Sequence, residues 1–355
     1  MDKSKALIAM SGGVDSAVAA LLLKEKYDIT GITMRLWSES ETIPDAKLCA
    51  HDQNSADAKA VADILGIPHI TTALGESFQK CVIDNFISEY RQGRTPNPCT
   101  ECNKHIKFGK LFDIADSMGI PYLATGHYAR IECSENGEYL LKRAADPAKD
   151  QSYFLWGIKK ERLPFILFPL GDMTKNDIRK IAQSNSLPNH SRSDSQDICF
   201  IPDGDYVSFI EKYDSPIFCE GAFVDVNGNV LGAHKGIEHY TIGQRKGLGI
   251  ALGIPMFVGK KDVIGNTVTL CSDRELYAGT LTASSVNLLT STSLDEPTRL
   301  MAKIRYRHTP AAATVQRISD DRISVIFDEP QRAIAAGQSV VLYDQDTVVG
   351  GGIIK

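Results

Sequence analysis

The feature that most constrains this chain is the hexapeptide Ser11-Gly12-Gly13-Val14-Asp15-Ser16. Residues 6–10 before it form a short apolar strand candidate, and after it Val14, Ala17, Val18, Leu21 and Leu22 recur at helical spacing. A strand therefore hands over to a helix through a glycine turn. Glycines let the backbone close tightly, successive amides and the helix N-terminus face an anion, and two serines add hydroxyl donors. A phosphate or pyrophosphate fits such a turn. No Gly-Lys-Ser/Thr follows, which excludes a Walker A loop, and the spacing is not that of the GxGxxG dinucleotide fingerprint. The nearest lookalike, residues 247–253, is misspaced, lies outside a strand-to-helix setting and reads as a loop. The bland alternative for the hexapeptide is an ordinary turn in which Ser11 caps the helix.

The first half of the chain continues in the same alternation. Strands are predicted over 29–36, 69–72 and 122–125, the last ending at Gly126, and helices over 56–65 and 78–90. Strands separated by helices imply an α/β domain with an open parallel sheet and ligand sites at the carboxyl ends of the strands. Beyond about residue 205 helical periodicity fades and glycine becomes frequent. β-rich runs then fall at 265–270, 302–307, 313–318, 322–327, 339–343 and 347–354. That texture suits a small central module followed by a C-terminal β-barrel. The expected boundaries are 1–204, 205–272 and 273–355.

Composition narrows the class. The 355 residues carry a net charge of −5 and are 43% hydrophobic and 23% charged, which suits a globular chain and excludes a disordered, collagenous or coiled-coil one. No run is apolar enough to span a membrane and no signal peptide precedes the first strand, so a cytoplasmic protein without membrane association is expected. Eight cysteines in such a chain point to thiols used as ligands or reagents rather than to a disulfide framework.

The hexapeptide resembles the pyrophosphate loop of the ATP pyrophosphatase (PP-loop) superfamily, whose adenine-nucleotide α-hydrolase-like domains split ATP into AMP and pyrophosphate. Further blocks narrow the resemblance: Gly31-Ile32-Thr33-Met34-Arg35-Leu36-Trp37, Thr95-Pro96-Asn97-Pro98, Cys102-Asn103-Lys104-His105-Ile106-Lys107-Phe108, Ala124-Thr125-Gly126-His127-Tyr128, Lys149-Asp150-Gln151-Ser152-Tyr153-Phe154, Asp197-Ile198-Cys199-Phe200-Ile201 and residues 239–247. Together, in order and over essentially the whole chain, they resemble the tRNA-specific 2-thiouridylases. The resemblance implies ATP-dependent replacement of O2 of the wobble uridine of tRNA by sulfur. It places ATP at Ala9, Met10, Ser11, Gly12, Gly13, Val14, Asp15, Ser16, Met34 and Gly126, with Asp15 helping to hold Mg2+. It places the anticodon arm of tRNA at Asn97, Pro98, Cys99, His127, Lys149, Asp150, Gln151, Arg305, Tyr306 and Gln338. A cysteine desulfurase or sulfur-relay protein is implied as donor.

The residues make chemical sense of that reaction. Cys99 and Cys102 sit in a Pro- and Asn-rich stretch that reads as a loop, and Cys199 lies 97 residues beyond Cys102 in a strand or turn. Sulfur transfer uses one thiol as persulfide carrier and a second, as thiolate, to complete release. By resemblance Cys199 is the carrier and Cys102 its partner. Lys104, His105 and Lys107 would lower the Cys102 pKa if they surround it. Many relatives carry Asp where this chain has Cys99, so Pro98-Cys99-Thr100-Glu101-Cys102 departs from the family pattern by forming a CxxC. With Cys199 as third thiolate that spacing would suit a [4Fe–4S] cluster; zinc and a redox dithiol are the other readings. Cys49, Cys81, Cys133, Cys219 and Cys271 read as core or surface thiols.

Two basic windows stand out. Residues 299–317 hold Arg299, Lys303, Arg305, Arg307 and Arg317 without an acid, and residues 235–261 hold Lys235, Arg245, Lys246, Lys260 and Lys261 against Glu238 alone. They read as phosphate-contacting strips or as solvated faces. The rival to a tRNA sulfurtransferase is another PP-loop synthetase, adenylating or amidating a small substrate. A non-catalytic RNA-binding protein is the reading from a different class.

Overall fold

The structure, a computed structural model, describes residues 3–36, 50–190, 198–201, 203–214 and 218–355; Trp37, Cys49 and Asp197, named above, lie outside the described residues. The chain divides into two compact units, Met1–Val82 with Cys99–Gln196 and Asp346–Val348, and Ile83–Pro98 with Asp197–Gln345 and Val349–Lys355.

In the first unit β1 (Lys5–Ala9), α1 (Val14–Lys24), β2 (Asp28–Arg35), α2 (Ala50–Leu65) and β3 (His69–Ala73) alternate as expected. After α3 (Leu111–Ser117) come β4 (Tyr122–Ala124), the hairpin β5 (Ala129–Cys133) and β6 (Tyr139–Arg143), β7 (Ile166–Leu167) and α4 (Lys175–Ser184). The five-stranded sheet runs β3-β2-β1-β4-β7, with every pairing parallel. Ala6, Leu7 and Ile8 of β1 are fully buried, as a strand covered on both faces requires. Ala17, Ala19 and Ala20 let α1 pack closely into the same core as Ala58, Val61 and Ala62 of α2. Because the chain leaves β1 toward β2 and β3 on one side and later adds β4 and β7 on the other, the order reverses between β1 and β4. A crevice for ligands opens outside the carboxyl ends of strands at such a switch point. Residues 11–16 follow β1 there, and Gly126 lies two residues beyond β4.

The second unit holds α5 (Tyr206–Asp214) and the sheet β10-β11-β8-β9, built from β8 (Gly221–Val224), β9 (Val230–His234), β10 (Phe257–Asp262) and β11 (Thr267–Cys271). Phe223, Tyr240, Val258, Val268 and Leu270 form its core. The remaining strands are β12 (Tyr277–Leu288), β13 (Thr298–Lys303), β14 (Ala311–Ser319), β15 (Arg322–Arg332), β16 (Ser339–Asp344) and β17 (Thr347–Ile354). They run β12-β15-β14-β13-β16-β17, and β12 pairs again with β17, closing a barrel around Ala302, Val315, Val325 and Leu342.

Two local expectations change. The strand expected over 302–307 is β13, four residues earlier; the chain turns after it, with the His308 amide donating to the Arg305 carbonyl at 3.0 Å. The loop expected around Cys99 and Cys102 is helical instead. Pro98–Glu101 forms a short α-helix and Cys102–Lys110 a nine-residue π-helix. Proline suits the first helical turn, where its fixed φ is preorganised and its missing N–H costs nothing. π-Helical segments are rare and concentrate at functional sites. The helix expected over 78–90 is present in consecutive pieces, with Gln79–Ile83 π-helical between Gly75–Phe78 and Asp84–Arg91.

Candidate active site

The hexapeptide forms a closed turn that leaves the start of α1 open. Gly13 is the N-cap and provides no side-chain cap, so Ser11 does not cap the helix. Ser11 is instead tied to Ser16: its amide donates to Ser16 Oγ at 3.2 Å, the two hydroxyls lie 3.3 Å apart, and Ser16 Oγ–H donates to the Gly13 carbonyl at 3.0 Å. Gly12 adopts φ +75°, and a Cβ there would lie 2.5 Å from the Asn54 carbonyl oxygen. Gly126 packs against the loop from β4, where a Cβ would meet the Asp15 carbonyl carbon and the Ser16 nitrogen at 3.0 Å. Glycine at both places is a consequence of backbone approach.

Lys175 and Asn189, which the sequence did not flag, complete this site together with Tyr128. Lys175 Nζ lies 2.7 Å from Asp15 Oδ1, and Tyr128 Oη–H donates to the same oxygen at 2.8 Å. Asn189 Nδ2 donates to the Gly12 carbonyl at 3.0 Å, while its Oδ1 is buried without a hydrogen-bond partner among the described residues. Neither residue falls in a spacing pattern, and only the tertiary fold brings them to the loop.

Cys102 is buried, at 8% exposure, and burial pushes its thiol up to about 11. Lys107 pulls the other way but does not win, and the neighbouring Cys99 adds to the rise. Burial thus favours the thiol over the activated thiolate expected at Cys102. Lys104 packs against Gly157 and His105 faces Glu101 at 3.3 Å, so neither lowers the Cys102 pKa. Cys99 is exposed as a residue, yet protein packed around its sulfur raises its pKa as well. Cys199 stands exposed on a turn, beside Phe200, which is buried against Phe86 and Phe209. Cys133 and Cys219 are exposed and Cys271 is buried, as surface and core thiols should be. Among the described residues, which include Cys99, Cys102 and Cys199, no three His, Cys, Asp or Glu side chains are placed to hold one metal ion. Cys99 and Cys102 belong to the first unit, where protein packs around both sulfurs, and Cys199 belongs to the second.

Several residues assigned to RNA turn inward. His127 is buried, and burial followed by the Lys107 charge holds its imidazole well below the usual range. Lys107 Nζ donates to Nε2 at 3.4 Å, which leaves Nδ1 as the protonated nitrogen, 2.6 Å from Thr125 Oγ1. Asp150, 5% exposed, accepts from the Ala144 and Ser152 amides and from Arg143 Nε. Gln151 Oε1 accepts the Tyr128 amide at 3.0 Å. Their polar groups take part in hydrogen bonds that shape the site. In the second unit Gln338 Nε2 donates to the Thr95 and Pro96 carbonyls, both at 3.0 Å, and so positions the segment carrying Asn97 and Pro98. Met34 is half-buried on β2 and Lys149 is half-buried.

The basic windows are less charged in space than in sequence. Arg299 pairs bidentately with Asp328 of β15, and Arg317 lies 3.4 Å from Asp295. Lys303 is buried over the Tyr306 ring, and Arg305 Nη1 donates to the Arg332 carbonyl at 3.0 Å. In the other window Lys261 is packed over Tyr90, donates to the Tyr240 carbonyl, and is lowered by burial to about 8.

Residues 4–203 match the family described as tRNA methyl transferase HUP domain, 208–272 the tRNA methyl transferase PRC-barrel domain and 278–354 the aminomethyltransferase β-barrel domain. A protein of Clostridioides difficile strain 630 named tRNA-specific 2-thiouridylase MnmA is 48% identical over 353 residues, covering 99% of this chain and 98% of the relative. A protein of the same name from Acetivibrio thermocellus is 47% identical over 361 residues and covers all of both chains. Among solved structures, an NH3-dependent NAD synthetase from Campylobacter jejuni covers 53% of this chain and 66% of its own at 16% identity and a TM-score of 0.31, too distant to argue from. Identity near one half along the whole length, with the blocks from Ser11 to Gly247 in place, makes the conclusion direct: the chain belongs to the tRNA-specific 2-thiouridylase family.

Proposed function

We propose that this protein is a tRNA-uridine 2-sulfurtransferase, which thiolates the wobble uridine of tRNA with ATP cleaved to AMP and pyrophosphate. The observation that carries the reading is the full-length likeness to relatives of that name. The geometry of residues 11–16 supports it: an uncapped helix start and closed glycine turn at the switch point of a parallel sheet suit the phosphates of a nucleotide. The first 204 residues then carry the catalytic chemistry, and residues 205–272 and 273–355 the tRNA modules.

Uridine O2 attacks the α-phosphorus, an O2–P bond forms, and the bond to the β-phosphate oxygen breaks with pyrophosphate taking the electron pair. Mg2+ fits Asp15, a hard carboxylate donor whose two short contacts both fall on Oδ1 and leave Oδ2 available; when bound, the ion neutralises the leaving pyrophosphate. The terminal sulfur of a Cys199 persulfide then attacks C2, and AMP leaves with the C2–O2 bond. Cys102 thiolate attacks Cys199 Sγ, releasing the 2-thiouridine and leaving a Cys102–Cys199 disulfide for an external dithiol to reduce. A cysteine desulfurase or relay protein supplies the persulfide sulfur. No step runs through a [4Fe–4S] cluster.

Purified protein, ATP, Mg2+, unmodified tRNA and a persulfide donor are expected to give tRNA-dependent pyrophosphate and 2-thiouridine in nuclease digests. Pyrophosphate released without tRNA, but with ammonia and a small carboxylate, would instead support the amidating synthetase. Cys102→Ser and Cys199→Ser should bind tRNA and ATP yet form no thiouridine, while Cys99→Ser keeps substantial activity. Loss of iron and activity together in Cys99→Ser would restore the cluster reading.

A further inference from the structure

The loop at residues 11–16 has one charged side chain, Asp15, and that charge has the wrong sign for an anion site. A Walker A loop brings its own lysine; this one does not. The fold provides a cation from elsewhere. Lys175 is the first residue of α4, and its ammonium reaches Asp15 Oδ1 at 2.7 Å. Its direction is fixed by its surroundings. Thr174 and Asp177 form a capping box around the first turn of α4, the Lys175 amide reaches Asp146 Oδ2 at 3.5 Å, and the side chain is only 11% exposed. Tyr128, whose ring centroid lies 6.0 Å from Nζ, donates its hydroxyl to the same Asp15 oxygen. A long cationic side chain so confined loses little further entropy on meeting a ligand.

We propose that Lys175 is the cation that receives the β- and γ-phosphates of the nucleotide at this loop, with Asp15 holding the ammonium in place until the nucleotide arrives. The proposal rests on the nucleotide-binding reading above and adds a residue to it. Lys175 acts on the charge that builds up as pyrophosphate leaves, a role that a metal ion held by Asp15 would share. The competing explanation is a structural pin, in which Lys175 only ties the loop to α4.

Calorimetric titration of the full chain with Mg·ATP, inorganic pyrophosphate and AMP separates the two. Lys175→Met should lose about ten- to a hundredfold in affinity for Mg·ATP and pyrophosphate, as expected for one charge-assisted phosphate contact, while AMP, which lacks both outer phosphates, binds as before. Lys175→Arg should recover part of the loss. Equal losses for AMP and ATP, or an unchanged ATP affinity, would overturn the proposal. A second variant does not depend on the folding of Lys175→Met. In Asp15→Asn, the carboxylate charge beside Lys175 is removed, so pyrophosphate without Mg2+ should bind more tightly than to wild type; weaker or equal binding would count against the assignment. Wild-type protein that binds none of the three ligands would overturn the nucleotide reading itself, and this one with it.

Discussion

The thiol of Cys102 offers the sharpest test of the site as it stands. Burial lifts its pKa to about 11 from the 9.0 of an ordinary thiol, while Lys107 opposes the rise. At pH 7.5 a thiol of pKa 11 is ionised in about one molecule in three thousand, against about one in thirty for an unperturbed group. Burial therefore favours the neutral thiol of Cys102 in the free protein. Iodoacetamide labelling across pH 6 to 12, read by fragment ions of the peptide spanning residues 95–104, gives separate midpoints for Cys99 and Cys102. The midpoint is the quantity to compare, since slow access through a packed site lowers the rate without moving it. Wild-type Cys102 is expected to titrate near 11, and Lys107→Met to titrate higher still. A folded-state value above the unfolded one means that protonation favours the native state. The stabilisation, roughly 3 kcal/mol for two pKa units at this buried site, is full below pH 9 and lost between about pH 9 and 11. A midpoint at or below 9, or a Lys107→Met variant that titrates lower, would refute the reasoning.

The other expectations concern single residues. Gly12→Ala places a Cβ 2.5 Å from the Asn54 carbonyl at φ +75° and should cost about 2–4 kcal/mol in urea unfolding together with ATP affinity; a stable variant with wild-type affinity would show that the loop relaxes. Asp150→Ala strips partners from two buried amides and Arg143, so its main effect should be a stability loss of about 3–5 kcal/mol rather than a change in tRNA affinity per folded molecule. Weakened tRNA binding with unchanged melting would reverse that assignment. Arg299→Ala should leave the salt dependence of tRNA binding unchanged because Asp328 already neutralises it, whereas Arg305→Ala should make the slope shallower by about one. Equal slopes for the two variants would return the strip to a solvated face.

What the sequence determined by itself was whatever local chemistry dictates. The turn at residues 11–16 is legible because glycines, serines and an apolar strand and helix on either side leave few other backbones, and β1 to β4 follow from period and run length. Barrel strands β14 to β17 were legible for the same reason, whereas β12 was missed and the limits of β13 are set by its pairing with β14 and β16 and not by its own composition. Tertiary structure alone decided how each group is charged and where it faces. Lys175 and Asn189 reach the loop from 160 and 177 residues away, so no spacing rule could find them. Asp328 and Asp295 cancel charges in a window that contains no acid of its own. Lys104, His105 and Lys107 follow Cys102 in sequence, yet burial outweighs the one of them that acts on it. Sequence proximity sets which residues are covalent neighbours; solvation and Coulomb interactions depend on distance through space, and only the folded chain fixes that distance.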